Sequence, residues 1–186
     1  AVKPMRISGG KKEAVKTIQL NVLSLFSGCG GMDLGFEGGF NVLNQSVNEK
    51  INKSWHTRKI DKRWTYLPQT RFHTVFANDI RPDAKRVWTK YFATHGIPQT
   101  TYYLNSIVEL VKIQENNNKT IFPSNIDVVT GGFPCQDFSV AGKRKGFDSD
   151  KSHTGKRRDD DTPSIESRGQ LYMWMREVIG LVKPKL

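Results

Sequence analysis

Three short apolar segments, each running directly into a turn, constrain the fold of this chain more than any other feature. They are IQLNVLSLF at 18–26, HTVFA at 73–77 and IDVVT at 126–130, and the turns that follow are SGCGG, Asn78-Asp79 and GGFPCQ. Further helix-compatible sequence lies over 32–37, 82–92 and 169–182, and a shorter helix is predicted to end after residue 109. Strands that alternate with helices predict a parallel sheet wound by helices, with ligands bound at the carboxyl ends of its strands.

The first two turns have the residues of a ligand site. Three glycines in SGCGG let the backbone approach a ligand closely, but the spacing is neither GxxxxGK[ST] nor GxGxxG, so ATP and NAD are not favoured. A simple tight turn explains the glycines equally well. Asp79 ends the second segment, where nucleotide-binding folds bind ribose hydroxyls. Alternatively, Asp79 caps the helix that begins near Pro82.

Cys135 has the setting of a nucleophile. It follows Gly131, Gly132 and Pro134 in a turn at the end of a predicted strand, where a ligand can reach it. A structural cysteine more often lies within an apolar run. The cations at 143–145 favour the thiolate form, which is the reactive one.

The charge of the chain predicts a polyanionic partner. Twenty-nine Lys and Arg residues against 18 Asp and Glu residues give a formal net charge of +11, which suits nucleic acid, an anionic membrane, or a merely solubilising surface. The sequence shows no secretory signal, bilayer-length apolar stretch or amphipathic basic helix, so an intracellular protein without membrane contact is predicted. Cys29 and Cys135 are expected to be reduced, and no metal-site spacing is present.

Four motifs resemble those of the DNA (cytosine-5) methyltransferase family, in the family's order. GGFPCQDFSVAGKRKGF and SRGQLYMWMREV resemble its catalytic motif and the following one, LSLFSGCGGMDLGFEGGF is similar to its S-adenosylmethionine motif, and FANDI to its second. The resemblance implies an α/β, Rossmann-like methyltransferase fold, incomplete in this chain, with a mostly parallel sheet and helices on both faces. It also implies that the Cys135 thiolate adds to C6 of a flipped cytosine in double-stranded DNA, so that C5 accepts the methyl group.

The resemblance assigns roles to further residues. The implied cofactor-binding residues are Phe26, Gly28, Cys29, Gly30, Gly31, Asp79, Ile80, Ser106, Gly132, Pro134 and Leu171. Cys29 would be a packing residue. The implied DNA contacts are Phe133, Gln136, Ser139, Lys143, Arg144 and Lys145, most of them on a mobile catalytic loop that runs from Gln136 to about Gly146.

The sequence departs from the family pattern at several places. Asp79 and Ile80 stand where members often have Glu and an aromatic residue, and Ser106 stands where they usually have an Asp that contacts adenine. Insertions lie near 41–72 and 148–166. The first is basic and aromatic, and a solvated surface loop is favoured over contact with DNA or a partner. The second lies within residues 143–166, a charged and polar stretch that is predicted to be a mobile loop.

The resemblance also implies a domain organisation. Residues 1–17 are expected to be a loosely ordered basic leader, and 18–186 the N-terminal portion of the catalytic domain. The family continues into a Glu-Asn-Val motif, an arginine motif and a target recognition domain, so this chain alone is expected to be inactive. The C-terminal half would be the remainder of a longer or cut polypeptide, or a separate chain.

Other functions stay open. A restriction–modification enzyme in the bacterial cytoplasm or nucleoid is favoured, or a nuclear enzyme if the source is eukaryotic. The alternatives are a DNA-binding module without catalysis and a tRNA cytosine-5 methyltransferase.

Overall fold

The structure is a computed structural model that describes residues 18–48, 50–51, 58–117, 119–134, 151–157 and 166–186. The strands are β1 (Leu20–Leu25), β2 (Gly38–Leu43), β3 (Arg58–Lys59), β4 (Trp64–Gln69), β5 (Phe72–Asn78), β6 (Tyr102–Tyr103) and β7 (Val128–Gly131). The helices are α1 (Gly31–Glu37), α2 (Pro82–Ala93), α3 (Ile107–Asn117) and α4 (Leu171–Val182), with 3-10 turns at Asn44–Ser46, Gln99–Thr101 and Arg168–Gln170.

A parallel four-stranded sheet in the order β6-β5-β1-β7 forms the centre of the fold. Successive residues of a strand point to opposite faces, and in β5 Phe76 packs in one core cluster while Ala77 packs in another. The first cluster includes residues of α3 and α4 and the second includes Trp88 and Phe92 of α2. Helices therefore cover both faces, which confirms the α/β fold class predicted from the sequence.

Three strands drawn from residues 38–69 form a second, antiparallel sheet in the region near 41–72. Its strand order is β2-β4-β3, and its register pairs Gly38 with Gln69 and Leu43 with Trp64. The prediction of a surface loop here was wrong where the chain forms these strands, at 41–43, 58–59 and 64–69. The aromatic and β-branched residues of β4 (WTYLPQ) favour a strand, and pairing with β2 buries Thr65 to 2% exposure.

Several predictions fall outside the described residues. These are the leader at 1–17, the nucleophile Cys135, and the DNA-contact residues Gln136, Ser139, Lys143, Arg144 and Lys145. Of the insertion near 148–166, the structure describes 151–157 and Glu166. Over the described ranges, no helix is long and apolar enough to cross a bilayer, and no group of His, Cys, Asp and Glu side chains could hold a metal ion.

Candidate functional site

The end of β5 is hydrogen-bonded to the glycine turn that follows β1. The Asp79 carboxylate accepts the backbone N–H of Gly28 and of Arg81, each at 3.0 Å. Beside it, the Ser27 N–H donates to the carbonyl oxygen of Asn78 at 2.8 Å. The residue that precedes α2 is Arg81, so the alternative in which Asp79 caps this helix was wrong. Asp79 instead fixes the position of the turn.

Gly30 is required by packing beneath the turn. Its φ is +88°, and a Cβ atom there would lie 2.6 Å from ring atoms of both Trp88 and Phe92. Close by, the buried Asp33 accepts hydrogen bonds from the Trp88 indole, at 2.6 Å, and from the Ser24 hydroxyl. Burial raises the pKa of Asp33, and the two hydrogen bonds oppose this shift. Close packing and hydrogen bonding thus hold the turn against α2.

A cavity of about 210 Å³ opens at the carboxyl ends of the parallel strands. Seven of the predicted cofactor residues line it: Phe26, Asp79, Ile80, Ser106, Gly132, Pro134 and Leu171. The other lining residues, which the sequence did not single out, are Asn78, Arg81, Ile107, His153, Gly155 and Arg168. The lining combines apolar side chains with one acidic side chain, Asp79, as suits a ligand that has flat apolar and polar parts.

The other four predicted cofactor residues are not among those that line the cavity. They are Gly28, Cys29, Gly30 and Gly31. Gly28 is bonded to Asp79, Gly30 is buried against α2, and the Cys29 side chain is exposed. Direct contact of these residues with a cofactor stays a prediction.

Phe26 lines the cavity in a conformation that non-glycine residues rarely adopt. Its φ is +54°, and its N–H donates to Oδ1 of Asn78 at 3.4 Å. A left-handed backbone at a bulky residue is strained, and such strain concentrates at functional sites. The surrounding hydrogen bonds of Asn78 and Ser27 maintain it.

His153 joins the second insertion to the cavity. Its Nδ1 lies 2.8 Å from the Ser106 hydroxyl oxygen, and its backbone N–H donates to the Glu166 carbonyl at 2.8 Å. Lys112 of α3 forms an ion pair with the Glu166 carboxylate, which lowers the pKa of that group. The predicted mobile loop thus includes, over 151–157, a segment bonded to the cavity wall at Ser106 and connected to α3 through Glu166.

The turn after β7 brings α4 against the cavity. A Cβ atom on Gly131 would lie 3.1 Å from Sδ of Met175 and 3.3 Å from Cβ of Leu25, so glycine permits this close packing. Leu171, the first residue of α4, then reaches the cavity. Phe133, a predicted DNA contact, is 38% exposed and lies with its ring centroid 6.3 Å from that of Tyr172.

Comparison with known proteins gives a consistent family assignment. A family model described as C-5 cytosine-specific DNA methylase matches residues 20–154. The chain is 37% identical over 130 residues to the Type II methyltransferase M.BspRI of Lysinibacillus sphaericus, a match that covers 69% of this chain and 26% of that protein. It is 30% identical over 135 residues to M.BsuRI of Bacillus subtilis, with coverages of 72% and 27%.

A third relative is matched over a longer part of this chain. The Type II methyltransferase M.NgoPII of Neisseria gonorrhoeae is 29% identical over 167 residues, which are 89% of this chain and 31% of that protein. The chain therefore spans between about a quarter and a third of the length of these curated relatives.

Proposed function

We propose a function from the premise that this chain belongs to the C-5 cytosine-specific DNA methylase family. It supplies the S-adenosylmethionine pocket and the nucleophile of an enzyme that methylates C5 of cytosine in double-stranded DNA. The observation that carries the proposal is the cavity at the strand ends, because seven residues assigned to the cofactor by family resemblance line this one space.

The residues of the cavity fit S-adenosylmethionine. Asp79 has two carboxylate oxygens, and each retains acceptor capacity beyond its one backbone N–H, so it can accept the ribose hydroxyls. Ile80 offers an apolar surface to adenine, and Leu171 with Pro134 lines the side assigned to the methionine end. When bound, the cofactor supplies a methyl group on a positively charged sulfonium.

Cys135 is the proposed nucleophile. It follows Pro134, a residue of the cavity wall, directly in the sequence. In the proposed reaction its thiolate adds to C6 of a cytosine flipped out of the duplex, which makes C5 electron-rich. Loss of the C5 proton and then of the thiolate restores the aromatic ring after methylation and frees Cys135.

The relatives suggest a biological setting. Three of them are named Type II methyltransferases, so we propose that the whole protein is the modification enzyme of a bacterial restriction–modification system in the cytoplasm. We further propose that residues 1–186 alone have little activity, because they correspond to about a quarter to a third of each relative.

Covalent trapping tests the function. The complete reading frame is incubated with S-adenosylmethionine and long duplex DNA in which every cytosine is 5-fluorocytosine, so that no knowledge of the recognition sequence is needed. Fluorine at C5 cannot leave as a proton does, so a denaturation-resistant complex is expected for the wild type. The complex should be absent from Cys135→Ser and retained by Cys29→Ser.

Two outcomes would oppose the proposal. If cofactor binds but no adduct forms, the alternative of a DNA-binding module without catalysis is favoured. If an adduct forms only with fluorocytosine-substituted tRNA, the substrate is RNA and not DNA.

A further inference from the structure

The antiparallel sheet presents a cluster of cations without acidic partners. Lys50, Lys59, Lys62 and Arg63 are all exposed, and none forms an ion pair with any residue that the structure describes. None of them lines the cavity at the strand ends. Like charges held together repel one another, so a surface of this kind is suited to an anionic partner. We call these four residues the basic surface.

Asp61, the acidic residue beside these cations, is hydrogen-bonded to backbone N–H groups. Oδ1 of Asp61 accepts the N–H of Arg63 at 2.6 Å and that of Trp64 at 2.8 Å. These bonds shape the turn between β3 and β4, on which Lys62 and Arg63 lie. Asp61 therefore orders the turn and forms no ion pair with the cations beside it.

The half-buried amide of Asn44 anchors the same turn to the rest of the sheet. The Asn44 side chain donates to the Asp61 carbonyl at 3.2 Å and accepts the hydroxyl of the buried Thr65, and its backbone N–H donates to the Arg63 carbonyl at 2.9 Å. Such anchoring lowers the conformational entropy lost when a ligand binds.

Two open hollows flank Asn44. One, of about 310 Å³, is lined in part by Lys62 and Arg63, and the other, of about 380 Å³, by Lys50 and Lys59. Each hollow thus brings two cations together with amide groups, a combination that suits a phosphate group. Two such hollows side by side suit a polymer of phosphates better than a single small anion.

We propose that the basic surface binds the phosphate backbone of duplex DNA, apart from the catalytic pocket and independently of base sequence. The choice of duplex DNA rests on the proposed function, and the charge complementarity rests on the sheet itself. A sheet that contacts only phosphates would increase affinity and salt dependence without selecting a sequence.

The test measures how binding depends on salt. The complete reading frame binds a short duplex of A·T pairs only, which has no cytosine to flip or methylate, over about 50 to 200 mM salt. The variant Lys59→Gln/Lys62→Gln/Arg63→Gln is compared with Arg86→Gln/Lys90→Gln/Lys119→Gln, which removes the same charge from exposed cations outside the sheet. Equal melting temperatures verify that both variants are folded.

We expect the salt dependence of duplex binding to weaken in the sheet variant and to stay unchanged in the control variant. Three lost phosphate contacts should reduce the slope of log K against log salt by about 2 to 3, and affinity at low salt should fall at least about tenfold. Equal slopes in the two triple variants would overturn the proposal. So would a sheet-dependent preference for single-stranded RNA or for phosphatidylserine vesicles over the duplex.

These outcomes are separate from those of the trapping experiment. Because the A·T duplex offers no substrate, a failure of methyl transfer leaves this measurement unaffected. Conversely, equal slopes in the two variants leave the adduct at Cys135 unaffected.

Discussion

The two sheets of this molecule differ in how deeply they are buried and in the kind of site that each presents. The parallel sheet is buried on both faces, its strand ends meet at one edge, and hydrogen bonds between its turns shape a cavity there. The antiparallel sheet is only partly buried, with Thr65 as its buried polar residue, and it displays cations on its surface. The comparison teaches that a precise pocket depends on a buried scaffold, whereas a surface for a charged polymer needs only a few anchored turns.

The largest difference is expected between two tryptophans, one in each region. Trp88 is fully buried and donates to Asp33, whereas Trp64 is 40% exposed. Trp88→Ala should lower the free energy of unfolding by about 3–5 kcal/mol, and Trp64→Ala by less than about 1 kcal/mol. Urea denaturation of both variants measures this. Similar losses would mean that the small sheet is as important to stability as the large one.

A pair of glycines compares packing at two positions that both have positive φ. Gly30 and Gly39 have φ values of +88° and +75°, so alanine is strained at both. At Gly30 the new methyl group would meet the Trp88 and Phe92 rings, but at Gly39 it would meet the flexible Gln69 side chain. Gly30→Ala should therefore cost about 1–3 kcal/mol more than Gly39→Ala. Equal melting temperatures for the two variants would contradict this account.

Asp79 and Asp61 each accept two backbone N–H groups, but only Asp79 lines the cavity. Asp79→Asn should weaken binding of S-adenosylhomocysteine about 10- to 100-fold, because hydrogen bonds to a charged group are lost. Asp61→Asn should leave binding within about twofold. Calorimetric titration of both variants gives the comparison. If they behave alike, the cavity is not where the cofactor binds.

The smallest effect concerns pH and arises at the buried Asp33. Burial raises its folded-state pKa above the ordinary value of 3.8, so the folded state binds this proton more tightly than the unfolded state. Stability should therefore fall as pH rises from 3.8 through the raised pKa, by at most about 1.4 kcal/mol per pH unit. Subtracting the unfolding profile of Asp33→Asn from that of the wild type isolates this slope. If the difference between the two free energies of unfolding does not change with pH, Asp33 is not the source of the slope.

Local patterns sufficed for much of the fold. β1, β5 and β7 were predictable because apolar runs end in turns, and α2 because Pro82 begins a helical spacing of apolar residues. The antiparallel sheet was missed because its basic residues resemble a solvated loop. Its strands become stable only through pairing that local patterns do not show.

The site was predictable in part for the same reason. Asp79 stands at a strand end that the sequence reveals, whereas Ser106 was assigned only by the family resemblance, and both line the cavity. His153 and Arg168 lie in or beyond an insertion, and nothing local indicates that His153 contacts Ser106. The bond from Asp79 to Gly28 likewise joins two segments far apart in sequence.

The interior position of β1 has a consequence for the order in which the chain folds. Leu20 pairs with Phe72 and Val22 with Val128, so β1, the earliest of the described strands, is synthesised well before either of its neighbours. The strands of the antiparallel sheet are closer together in sequence, since Leu43 pairs with Trp64, and contacts of shorter sequence separation form earlier. On the ribosome, we expect the charged sheet to be complete before α4 emerges and closes the cavity.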